Sequence, residues 1–168
     1  MGATAAGGEC DARLARVILE GEALTRLSPY LEADRAQAVA DLEAENCFAP
    51  RPRPGLAAGG PYALHLSIYE GRLVFDIRRD DDAPWLAIAL ALGPFRSLIR
   101  DYYMLLDSHI EAVQEGREAR IQAIDMGRRG LHNEGAQLMI ARLNGKVDID
   151  FATARRLFTL LCVLHKRI

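Results

Sequence analysis

The residues of this chain best suited to chemistry fall in one segment, IDMGRRGLHNEGAQLM at residues 124–139. Arg128 and Arg129 supply planar, permanently charged forks that hold a carboxylate or phosphate at two points. His132 supplies an imidazole that titrates near neutrality, and Asp125 or Glu134 is spaced to orient it. With Asn133, these side chains support two functions. One is a binding or regulatory module that uses the GRRGLHNEG face for a ligand, a protein partner or a second copy of the chain; Arg128, Arg129, His132 and Asn133 are then the binding residues. The other is an enzyme acting on a small anionic substrate, with Arg128 or Arg129 as the clamp and His132, Asp125 and Glu134 as catalytic candidates. The spacing matches no reaction class, which makes the module the stronger reading.

Other chemistries lack their residues. His65, His109 and His132 show no H-x-x-x-H spacing and Cys10, Cys47 and Cys162 no C-x-x-C, so neither a metal nor another cofactor is expected. No serine or cysteine stands in a nucleophile elbow, and no glycine-rich loop has the P-loop pattern. The odd number of cysteines fits a reducing, cytoplasmic setting. Net charge is -2, from 21 Lys and Arg against 23 Asp and Glu. That balance argues against nucleic acid, although GRRG and TARRLF together could build a local basic face. The longest apolar runs, WLAIALAL and LFTLLCVL, fall far short of the roughly 20 residues that span a bilayer. The first residues carry no secretory signal pattern. The expected setting is soluble and cytoplasmic, with no membrane partner.

The segment must hold its polar groups on something. Gly127, Gly130 and Gly135 each cost a helix roughly 1 kcal/mol relative to alanine, which favours a break. Phase argues the other way, because Ile124, Leu131 and Leu138 recur at heptad spacing across the glycines. The phase predicts one helix from about residue 118, with the glycines admitting a neighbouring backbone. On that helix Arg128 falls in an apolar stripe with Ile121, Ile124, Leu131, Gly135, Met139 and Arg142, flanked by His132 and Asp125. An inward guanidinium needs a carboxylate or an anionic ligand, and Asp76, Asp101 and Asp107 are the internal candidates. Arg129 and Asn133 point toward solvent.

The rest of the chain supplies the frame. Residues 1–12 are small and polar and read as a disordered tail; residues 13–168 read as one domain. ARLARVILEG suits a short strand and residues 31–46 a surface helix with Leu31, Ala38 and Leu42 on one side. FAPRPRPGLAAGGP reads as a loop. YALHLSIYEGRLVFDIRR alternates with period two around Glu70-Gly71, a hairpin whose register sets Leu66 opposite Phe75 and His65 opposite Asp76. WLAIALALG makes a third strand, its alanines implying that something packs closely on their face. Gly93-Pro94 opens a helix that Gly116 stops. A last helix, capped by Asp148 or Asp150, is apolar around most of its girth and must be buried or covered by a partner. The fold class is α+β: a mainly antiparallel sheet of three strands, or four with the N-terminal segment, packed against C-terminal helices.

Three segments, GPYALHLSIYEGRLVFDIR, AIDMGRRGLHNEGAQLM and VDIDFATARRLFTLLCVLHKR, resemble the uncharacterised protein family 0262 of alphaproteobacteria. The resemblance is collinear from about residue 15 onward and departs chiefly in the APRPRPGLAAGG loop. It implies a bacterial cytoplasmic protein and carries over no catalytic role.

Overall fold

The computed structural model describes residues 12–21, 27–56 and 60–165. The expected tail therefore lies, apart from Ala12, outside the described residues. Alternating apolar residues form β3 (Tyr62–Tyr69) and β4 (Arg72–Arg79). Their register is the expected one, with Leu66 opposite Phe75 and His65 opposite Asp76. Glu70 and Gly71 make the turn with φ of 49° and 71°, the left-handed pair that matches strand twist in a two-residue hairpin. β5 (Pro84–Ala91) pairs antiparallel with β4, while β1 (Leu14–Leu19) pairs parallel with β3, giving the order β1-β3-β4-β5. A parallel pair needs a long crossover, and this one contains α1 (Pro29–Ala44). The helix starts earlier than residue 31 because Ser28 caps it and Pro29 suits its first turn.

Two side chains at the end of α1 close the outer edge of β1. Asn46 Oδ1 accepts from the Leu14 amide at 2.7 Å, and Glu43 Oε1 accepts from the Val17 amide at 3.1 Å. The Asn46 amide also donates to the Leu14 and Leu42 carbonyls at 2.8 and 2.6 Å.

Two expectations need correction here. Residues 48–61 are not all loop, because β2 (Phe48–Pro50) pairs antiparallel with β6 (Val147–Ile149) as a small second sheet. Strands this short show too little alternation to be read, and their partner is remote in sequence. The alanine face of β5 is not covered either: Ala87, Ala89 and Ala91 are exposed. The helices instead share a core with the opposite face, where Leu64, Leu66, Phe75 and Ile77 are fully buried beside Ile88 and Leu90.

A 3-10 turn at Gly93–Phe95 leads into α2 (Arg96–Glu115), which ends at Gly116 in the left-handed conformation, φ 66°. α3 runs unbroken over Glu118–Leu143. Asp150, not Asp148, caps α4 (Phe151–Leu164), its carboxylate accepting from the Thr153 amide at 2.8 Å. Asp148 lies in β6.

α4 packs against both α1 and α3, and Leu157, Phe158, Leu160 and Leu161 are at most 1% exposed. Of the two outcomes expected for this helix, burial within the fold or cover by a partner, the first is seen: the apolar residues from Leu157 to Leu164 are enclosed by the chain itself. No helix among the described residues is long and apolar enough to cross a membrane.

Candidate functional site

Helical phase places the site. Ile124, Leu131, Gly135 and Met139 of α3 are buried as expected, whereas Arg142 is exposed because the stripe drifts before its last turn. One of the three glycines is structural. A β-carbon at Gly135 would lie 2.4 Å from the Phe158 ring of α4, so the close neighbour is an aromatic side chain and not a backbone. Nothing stands within 4 Å of the corresponding position at Gly130.

Arg128 faces α1. Its Nη2 donates to Asp34 Oδ2 at 3.3 Å, so the partner is Asp34 and not Asp76, Asp101 or Asp107. Asp76 instead accepts from Arg78. The Tyr102 hydroxyl of α2 donates to the same Asp34 oxygen at 2.6 Å. Burial, and then the charge of Asp34, push that hydroxyl far above its ordinary pKa, so it keeps its proton and remains a donor. Cys162 is fully buried nearby and its thiol is also pushed well up, first by burial and then by Asp34, which leaves it inert.

His132 sits between Tyr102 and Phe158, its ring edge-to-face with both. Its Nδ1 lies 2.7 Å from the Arg128 carbonyl oxygen. A carbonyl only accepts, so Nδ1 carries the proton, and the neutral ring keeps its lone pair on Nε2. Burial draws the pKa of His132 below its ordinary value; the bond to the carbonyl opposes this, and the charges of Arg128 and Arg155 reinforce it. The group that orients His132 is therefore a backbone carbonyl, in place of the expected Asp125 or Glu134.

Arg128 and His132 border two adjoining clefts. The first, of about 170 Å³, lies toward α1 and is balanced in charge, with Asp34 and Asp41 against Arg128 and Arg156. Arg156 is already committed, because its Nη1 donates to the Glu45 carbonyl at 2.8 Å and to the Asp41 carbonyl at 3.3 Å, at the carboxyl end of α1. The second cleft, of about 280 Å³, is lined by Asp125, Arg128, Arg129, His132 and Arg155. Three guanidinium groups there face one carboxylate. Arg155 Nε is buried with no hydrogen-bond partner, and among the described residues neither Arg129 nor Arg155 forms an ion pair.

Four of the six candidate residues thus come together: Asp125, Arg128, Arg129 and His132. Asn133 and Glu134 are exposed and line neither cleft. Asp34, Tyr102 and Arg155 were missed. Only Arg155 had a signal, the TARRLF run that meets GRRG across the α3–α4 contact. His65 lies elsewhere, and His109 lines neither cleft but stands behind Asp125. The nearest carboxylate oxygen to His109 Nδ1 is Asp125 Oδ1, at 3.9 Å. Both ring nitrogens of His65 are taken, by Glu20 at 2.6 Å and Asp82 at 3.0 Å, and not by the Asp76 that it faces in register.

The sequence places this architecture among known proteins. A family-wide sequence profile, described as Uncharacterised protein family (UPF0262), matches residues 11–167. A UPF0262 protein of Granulibacter bethesdensis is 72% identical over 160 residues, covering 93% of this chain and 91% of that one. One from Acidiphilium cryptum is 60% identical over 159 residues, covering 95% and 96%. One from Nitrobacter hamburgensis is 48% identical over 153 residues, covering 91% of each. No solved structure matches the chain. With a profile match along nearly its whole length and relatives mostly from alphaproteobacteria, the chain belongs to the uncharacterised family UPF0262.

Proposed function

We propose that this chain is a cytoplasmic binding module that holds a small carboxylate- or phosphate-bearing ligand in the Arg128–Arg129–Arg155 cleft. One observation carries the reading: Arg155 Nε is buried without an acceptor beside two further guanidinium groups and a single carboxylate. A buried N–H lacking a partner costs about 1–3 kcal/mol, more when it is charged; an anion held by the three guanidinium groups removes that cost as the Arg155 side chain turns its Nε–H toward it. Asp34 fixes Arg128 from behind, which holds one fork of the cleft in place before a ligand arrives. The cytoplasmic assignment draws on composition and on Cys162, a buried free thiol.

The test is calorimetric titration with inorganic phosphate and with a small dicarboxylate. Saturable binding is expected, weakened about tenfold or more by Arg129→Ala or Arg155→Ala, since hydrogen bonds to charged groups contribute about 1.5–3 kcal/mol. Arg156→Ala should leave affinity unchanged, because that guanidinium is spent on α1. Absence of binding by either anion, or affinity indifferent to Arg129 and Arg155, would refute the reading.

A second reading, catalysis on the bound anion, is favoured by His132 alone. Its neutral ring keeps a lone pair on Nε2, the form a general base needs at neutral pH. Any turnover found in a screen of phosphate and carboxylate esters should disappear in His132→Ala; turnover that survives excludes this residue.

A further inference from the structure

We infer that the open edge of β5 joins two copies of this chain, by antiparallel β5–β5 pairing about a two-fold axis. The two edges of the sheet differ. On β1 the outward amides of Leu14 and Val17 are taken by Asn46 and Glu43, and α1 lies alongside. β5 has no such guard. Leu92 N donates to the Gly71 carbonyl at 3.1 Å, which sets the alternation along the ladder. Leu86, Ile88 and Leu90 turn their backbone groups to β4, and Ala87, Ala89 and Ala91 turn theirs outward. Among the described residues no hydrogen bond is made to those outward groups. Native sheets protect such edges with charge, proline, a bulge or a covering element. From Leu86 to Ala91 there is no charge and no proline, and the register shift lies only at the Trp85 end.

The occupant follows from symmetry and charge. An antiparallel edge is its own complement, because a two-fold axis sets each outward N–H against the same strand's C=O in the other copy. At the carboxyl end of β5 stand Arg72, opposite Ala91 in register, and Arg96, the first residue of α2; both are exposed. At the amino end stands the acidic run of Asp80, Asp81 and Asp82, all exposed; Arg79 at this end and Glu70 at the other are exposed too but outnumbered. Arg72, Arg96 and Asp81 form no ion pair among the described residues, whereas Asp80 and Asp82 pair with Arg16 and Arg78. Antiparallel pairing brings opposite ends together, so Arg72 and Arg96 of each copy meet Asp81 of the other; a parallel pair would set like charges side by side.

Sedimentation equilibrium on the full chain tests this. The wild type should reach twice its 18.5 kDa as it is concentrated. Ala89→Lys, on an exposed face where folding is spared, should weaken association about tenfold or more while circular dichroism stays unchanged. Asp81→Arg alone and Arg72→Asp/Arg96→Asp alone should each lose the dimer, and an equimolar mixture of the two should recover it. A wild type that remains monomeric overturns the proposal, whether or not it accepts an added extended peptide. So does a dimer indifferent to Ala89→Lys, or charge-swapped chains that fail to associate when mixed.

Discussion

Arg128 Nη2 stands 3.3 Å from Asp34 Oδ2, so a guanidinium on α3 and a carboxylate on α1 join positions 94 apart in the chain. The side chains are 24% and 25% exposed, between buried and solvated. Arg128→Ala should therefore cost about 1 kcal/mol in urea unfolding, below the roughly 3–5 kcal/mol of a fully buried pair. Tyr102→Phe, which removes a buried donor to the same carboxylate, should cost more, about 1.5–3 kcal/mol. The reverse ranking would mean that the carboxylate leans on Arg128 first.

The glycines of α3 should behave in opposite ways. At Gly130 the space is open, so Gly130→Ala should stabilise by up to about 1 kcal/mol through helix propensity. At Gly135 the added methyl would meet the near side of a fully buried ring. Overpacking costs roughly 1–3 kcal/mol, so Gly135→Ala should lower the melting temperature despite the same helical gain. Equal effects at the two sites would refute the packing argument.

The sequence revealed whatever had a period long enough to read. The β3–β4 hairpin register, the unbroken α3 and the enclosed girth of α4 came from alternation or helical phase. Pairings remote in sequence did not. β1 beside β3, β2 against β6, and Asp34 against Arg128 depend on which elements meet, and no local pattern encodes that. The same limit explains the cleft: the helical phase sets Arg128 and His132 on the inner side of one helix and turns Arg129 toward solvent, whereas Arg155 joins them through α4 and Tyr102 of α2 reaches Asp34 behind them. The alanines of β5 show a further limit: small side chains suit close packing, yet Ala87, Ala89 and Ala91 lie on an exposed face.

His132 should make stability fall in mild acid. Its folded pKa lies below the ordinary value of 6.5, so below about that pH the unfolded chain takes up a proton that the folded chain resists. This contribution is complete above pH 6.5 and is lost as pH falls from there toward the lowered folded value. Unfolding measured from pH 7.5 down to about 5 should show that slope, and His132→Gln should flatten it. An unchanged slope would assign the effect to another group.

Asn46 is the bracket between α1 and β1, with three hydrogen bonds to the carbonyls and amide of Leu14 and Leu42. Asn46→Ala should cost about 2 kcal/mol or more, because part-buried backbone groups lose their partners. Asn46→Asp should not restore it, since a carboxylate can accept from Leu14 but cannot donate to either carbonyl. Full stability in Asn46→Asp would show that the two donated bonds contribute nothing.

The central claim is that the Arg155 guanidinium receives an anion, and the direct measurement is the ¹⁵N–¹H resonance of its Nε–H group during titration with inorganic phosphate and with a small dicarboxylate. At least one of them should produce a saturable shift at Arg155 with a parallel shift at Arg129, and Arg156 should stay in place. An Arg155 resonance that follows neither anion, or that drifts without saturation in step with Arg156, would contradict the account.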